Sequence, residues 1–168
     1  ISTATESGRP TLVAKAQVAG LAGVIDGKKL NLSQPMQATA RLSSDKQGAQ
    51  LEDLNVSTSF AKIIASGNFK QIKYDGQVNL QALQSELGAF INLPYELAGQ
   101  VASTGRVSIG DKTTDLVGSL QARQLVFAAD GNSVSTPQAT ANFSLGLNSP
   151  QQMLSVDSLS ADTGFGLV

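Results

Sequence analysis

Ser59-Phe60-Ala61-Lys62 is the stretch whose residue types and spacing come nearest to a known nucleophile pattern, S-x-x-K, in which a lysine lowers the proton affinity of a serine hydroxyl. That chemistry needs the serine at a helix start, with S-D-N and K-T-G partners. Here the four residues fall at a bend in a strand pattern, and neither partner occurs. The chain has no His and no Cys, which removes the usual general base, the commonest metal ligand, the thiol nucleophile and any disulfide. Asp26, Asp45, Asp75, Asp111 and Asp130 stand beside Gly or in turns, where a carboxylate caps the local backbone. They form neither a D-x-D-x-D-G loop nor a carboxylate pair. Asn31-Leu32-Ser33, Asn55-Val56-Ser57 and Asn142-Phe143-Ser144 match the glycosylation acceptor pattern, but each lies within an expected strand of a Ser- and Asn-rich chain. Lys28-Lys29 reads as a solvated turn. No enzymatic activity, metal or cofactor is expected.

With no constellation to position, the elements themselves carry the information. The net charge of -1 offers no electrostatic reason to bind nucleic acid or an anionic membrane surface. Charged residues make up 15%, against about 25% in typical globular proteins, and Gln, Ser, Thr, Ala and Gly fill the remaining polar and small positions. That balance fits a β-rich, extracytoplasmic protein. No run approaches the roughly 20 apolar residues of a membrane-spanning helix. The start at Ile1 and a stop at Phe165 to Val168, inside a strand pattern, lead to the expectation that residues 1–168 are a single fragment of a longer repeat protein.

Alternation dominates. Leu12, Ala14, Ala16 and Val18 share one parity, a hairpin is expected at Asp26-Gly27, and Leu30, Leu32, Met36, Ala38, Ala40 and Leu42 hold even parity through Pro35, implying a bulge or edge there. A turn is expected over Asp45 to Gly48. Leu54, Val56, Thr58 and Phe60 continue, and a parity break at Ala61-Lys62 predicts a bulge or bend before Ile63, Ala65, Gly67 and Phe69. Asp75-Gly76 reads as the next turn. Leu80, Leu83, Leu87 and Phe90 then recur at helical spacing behind a capping Asn79 and ahead of Pro94, predicting one short helix near 80–91. Such a helix is marginal alone and must dock on a sheet. Further strands are expected at 97–109, 116–122, 125–127, 139–147, 154–156 and 159–167, with a turn at Asp130-Gly131. The fold class is therefore mainly β, an antiparallel curled sheet or half-pipe with one short helix, a sandwich-like closure being the alternative.

The chain also repeats. Thr11 to Gly27 aligns without a gap on Asp115 to Gly131, Ala38 to Leu42 on Ala139 to Phe143, and Leu54 to Ile63 on Leu159 to Val168, at offsets of 104, 101 and 105. Residues 11–114 would be one full repeat and 115–168 the first half of the next. One short helix has little area with which to cover an apolar stripe running through some ten strands, so a groove is expected. Its lining would be Leu12, Val18, Leu32, Met36, Leu42, Val56, Phe60, Phe69, Val78, Leu80, Leu97, Val101, Leu116, Leu120, Phe143 and Leu145.

A G-x-V-x-L strand at Gly76, the short helix, Leu97-Ala98-Gly99-Gln100-Val101, Thr104-Gly105-Arg106-Val107-Ser108-Ile109, then Gly118-Ser119-Leu120-Gln121-Ala122-Arg123-Gln124-Leu125 together resemble the AsmA-like superfamily. Gln124 stands where many relatives have Asn. The resemblance covers Gly76 to Leu125 well and the flanks by pattern. It implies a taco-like periplasmic β half-pipe with an apolar interior, tethered to the inner membrane by a segment outside this sequence. Such a protein carries phospholipid or another acyl-chain lipid between the inner and outer membranes, or assists outer-membrane assembly. Adjacent repeats of the same polypeptide and membrane proteins at either end would be its partners. The rival expectation is a structural or adhesive β-scaffold whose apolar face is fully packed and holds no ligand.

Overall fold

A computed structural model of the chain describes residues 2–6, 9–19, 22–25, 28–31, 34–46, 48–87, 95–129, 132–148 and 153–163. The order is β1(Ser2–Glu6), β2(Arg9–Val18), β3(Ala22–Ile25), β4(Lys28–Asn31), β5(Met36–Asp45), β6(Gly48–Ser57), β7(Ala61–Asn68), β8(Gln71–Asn79), α1(Leu80–Leu87), β9(Glu96–Ile109), β10(Thr113–Ala129), β11(Asn132–Asn148) and β12(Met153–Asp162). Ten strands form one open antiparallel sheet in the order β1-β2-β5-β6-β7-β8-β9-β10-β11-β12, with β3 and β4 a separate hairpin. The fold is thus mainly β with one short helix. The described strands make a single open layer and not the two facing sheets of a sandwich.

Ile25 opposes Lys28 and Ala129 opposes Asn132 in antiparallel pairs, while the expected turns at Asp26-Gly27 and Asp130-Gly131 lie outside the described residues. Asp45 opposes Gly48, whose φ of 115° suits glycine.

Other turns are displaced. Asp75-Gly76 is not a turn but mid-strand, paired with Ile64 and Ile63 on one side and Thr104 and Ser103 on the other. The chain reverses instead at Phe69-Lys70, because Asn68 Oδ1 accepts the amides of Lys70 (3.0 Å) and Gln71 (2.8 Å). Phe69 is therefore a turn residue. At the expected bend near Ala61 the chain also reverses fully. Thr58 Oγ1 accepts the Ala61 amide at 2.8 Å, Thr58 N–H donates to Ala61 O at 2.8 Å, and Phe60 sits in the turn between β6 and β7. Pro35 lies outside any strand, immediately before β5, so Leu30 belongs to the detached hairpin and not to one strand running through to Leu42. Leu32 lies outside the described residues.

The helix begins as its cap dictates, with Asn79 Oδ1 accepting the Ala82 amide at 2.9 Å. It runs Leu80–Leu87, while Gly88, Phe90 and Pro94 lie outside the described residues. It packs chiefly on β9, with lesser contact to β8 and β4. The Gln84 amide group fastens it there, Nε2 donating to Tyr95 O at 2.7 Å and Oε1 accepting from Leu97 N–H at 2.6 Å.

β10 is one continuous strand. Arg123 pairs with Gln100 and Val126 with Ala98, so β10 carries one residue more than β9 at that point, with Gln124 at φ 52° facing Gly99 at φ 115°. This bulge exchanges the parity of the apolar positions, from Leu116 and Leu120 to Leu125 and Phe127. The expected strands at 154–156 and 159–167 are likewise one strand, β12, with residues 164–168 outside the described residues.

Candidate functional site

Cross-strand partners place most of the apolar positions of the middle strands on one face. Ala61 pairs with Val78, Val78 with Val101, Val101 with Ala122 and Ala122 with Ala139. One step along, Val56, Ile63, Gly76, Ser103, Leu120 and Ala141 form the next row, and Leu54, Ala65, Tyr74, Gly105, Gly118 and Phe143 the one after. A further row runs Leu12, Leu42, Leu51, Gly67, Ile72, Val107, Leu116, Leu145 and Val156.

Eleven of the expected lining residues therefore share this face: Leu12, Val18, Met36, Leu42, Val56, Val78, Val101, Leu116, Leu120, Phe143 and Leu145. Leu97 pairs with Phe127 beyond the Gly99 bulge, Leu80 is in the helix, and Phe60 and Phe69 are in turns. Ile72 and Tyr74 belong to the face and were not anticipated. Ile72 and Tyr74 extend the even parity of Val78 backwards, a signal hidden by assigning Asp75-Gly76 to a turn.

The face is flat because its glycines are paved over. A Cβ on Gly105 would stand 2.7 Å from Tyr74 Oη, and one on Gly118 would stand 2.8 Å from both Tyr74 Oη and Phe143 Cζ. The tyrosine ring thus lies down across β9 towards β10, its hydroxyl 3.3 Å from Ser103 Oγ. Among the described residues the one element packed on these strands from outside the sheet is the helix, chiefly on β9. Among the described residues the only buried apolar side chains are Leu51 and Ala122, and no large side chain is fully buried. The middle of the face is mostly half-buried, with Ile63 exposed there and Leu12, Val18 and Val156 exposed towards the sheet edges.

The opposite face is mostly polar, with Ile64 and Val117 exposed on it. Lys62, Gln77, Ala102, Gln121 and Thr140 form one row, and Asn79, Gln100, Arg123 and Gln138 the next. A concavity of about 620 Å³ lies here, lined by Lys62, Asp75, Gln77, Gln100, Gln121 and Arg123 and by the turn Ser57 to Ala61. Of the expected lining residues it touches only Phe60, Val78 and Val101.

In the S-x-x-K stretch, Ser59 Oγ donates to the Glu86 carboxylate, which ties the β6–β7 turn to the helix. Lys62 instead occupies the ladder between Ser57 and Gln77. No group of three metal-ligating side chains occurs among the described residues, and none of their helices is long and apolar enough to cross a membrane. Comparison with protein-family models, with curated proteins and with solved structures returns no match for this chain.

Proposed function

We propose that this chain is a non-enzymatic module of a cell-envelope protein whose apolar sheet face receives the acyl chains of lipids. One observation carries the reading: an apolar face continuous across one open sheet, over which no second sheet is paired among the described residues, the helix packing chiefly on β9. A contiguous apolar surface of this kind marks an interaction site. β9, β10 and β11 span 14, 17 and 17 residues. At about 3.3 Å per residue that is roughly 45–55 Å, longer than the half of a ~30 Å hydrocarbon core that one acyl chain spans.

The mechanism is passive. Acyl methylenes leave water along the track, favoured by about 25 cal/mol per Å² of apolar area removed from solvent. Polar head groups remain in water at the margin. The close cover of Gly105 and Gly118 by Tyr74 and Phe143 suits sliding better than a pocket would. Transfer of phospholipid between inner and outer membranes, or assistance to outer-membrane assembly, in the periplasm, follows from the AsmA-like resemblance joined to this geometry. A scaffold reading would need a partner layer on the same face.

The test is site-specific photo-crosslinking of the protein expressed in bacterial cells, comparing Val78, Val101 and Leu120 with Gln77, Gln100 and Gln121 on the opposite face. Lipid adducts at the first three positions alone are expected. Adducts at neither set, with crosslinks only within the chain or to another protein, would replace the lipid reading by the scaffold.

A further inference from the structure

β6 and β12 carry the same irregularity at matched positions. Against β5, Asp53 pairs with Arg41 and Leu51 with Leu42, leaving Glu52 as the extra residue of a bulge. Against β11, Ser158 pairs with Ser144 and Val156 with Leu145, leaving Asp157 as the extra residue. Glu52 and Asp157 are separated by 105 residues, the offset that relates Leu54 to Leu159 in the internal sequence match.

The surrounding register agrees. Leu12, Leu42 and Leu51 are partners across β2, β5 and β6, and Leu116, Leu145 and Val156 are partners across β10, β11 and β12. The middle strand's structural offset is 103 and not the 101 of the sequence blocks, an even difference that keeps every side chain on its face. Alternating sequences align by accident easily, but a one-residue bulge at the same place with the same acidic residue type requires more than alternation.

We infer that β10, β11 and β12 repeat β2, β5 and β6, and that the outer edge of β12, unpaired among the described residues, is a docking edge for an antiparallel polypeptide strand of the chemistry that β7 brings to β6. On β6, Val56 pairs with Ile63, Leu54 with Ala65 and Leu51 with Gly67. The same offset makes Ala161, Leu159 and Val156 the receiving positions. The incoming strand carries a β-branched residue and then two small ones at alternate positions facing the apolar side.

Exposure shows what docking would change. Leu51, flanked by β5 and β7, is 9% exposed, whereas its counterpart Val156 is 62% exposed and Leu159 70%. The edge contains neither Lys nor Pro to blunt pairing. Main-chain hydrogen bonds would supply affinity and the alternate side chains the register.

The test uses a synthetic peptide of residues 60–69 with a photoreactive side chain in place of Ile63 or of Ala65, added to the whole chain. Labelling of Ala161 by the first peptide and of Leu159 by the second is expected. Val156→Lys with Leu159→Lys should abolish labelling of Ala161. Both side chains are exposed, so circular dichroism and the unfolding midpoint of that variant should match the parent. Labelling displaced by one residue, shared equally with β1, or absent overturns the inference. So does a chain that pairs with its own copy along β12 and excludes the peptide.

Discussion

Across β7 to β10 the sheet presents Val78, Val101 and Leu120 on one side and Gln77, Gln100 and Gln121 on the other. The three apolar residues are half-buried and the three glutamines exposed. The apolar side chains stand in rows with small neighbours, Gly76, Gly105, Gly118 and Ala122, among them, so each is flanked within the layer by other apolar groups. The glutamines have long polar tips that gain hydrogen bonds by standing in water. A single-layer sheet can thus keep a continuous apolar face while burying much of each side chain laterally, which leaves a surface ready for a flat apolar ligand.

Four substitutions would break or sharpen this contrast. Ala122→Asp has the largest expected effect. The site is 1% exposed, and an unpaired carboxylate there should cost more than about 3 kcal/mol in urea unfolding. A loss below about 1 kcal/mol would mean that the face is wetter than its side chains imply. Gly105→Ala comes next. Its Cβ would meet the backbone Val117 O at 2.5 Å and Tyr74 Oη at 2.7 Å, so both the β9–β10 backbone and the ring must shift, at about 1–3 kcal/mol, with lower lipid labelling at Leu120. Unchanged stability and labelling would show that the ring is not held flat.

Asn79→Ala removes the helix cap and should cost about 1 kcal/mol, seen as faster hydrogen exchange at the Ala82 amide. Slow exchange in that variant would assign the helix's stability to the Gln84 and Glu86 contacts alone. The smallest effect is expected on the polar face. Lys62→Gln with Arg123→Gln should change stability by no more than about 0.5 kcal/mol and leave labelling at Val78, Val101 and Leu120 as it was. A strong fall in labelling would show that the polar concavity takes part in holding the ligand.

Much of the apolar face was legible in the residues. The alternation of Leu12, Val56, Val78, Val101 and Leu116 assigned each to a common side, because side-chain direction in a strand is a local property with a period of two. The helix start was equally legible, since the cap lies within three residues of the amide it satisfies. Phe60 and Phe69 were misplaced because a turn exchanges strands without always announcing itself. Asn68 and Thr58 made those turns with side-chain oxygens, while Asp75-Gly76, a stronger turn dipeptide, was drawn straight by ladders on both sides. Ile72 and Tyr74 were missed for the same reason.

The sequence by itself determined the class of structure, the parity of its strands, the cap of its helix and the lack of histidine and cysteine chemistry. Each of these depends on composition or on neighbours a few residues apart. Only the tertiary structure decided which strands adjoin, where Glu52, Gln124 and Asp157 enter as extra residues, that Tyr74 covers Gly105, and that the described sheet stays a single open layer. Those outcomes depend on hydrogen bonds and contacts between residues far apart in the chain, whose energies compete with local preference and, at Asp75-Gly76, override it.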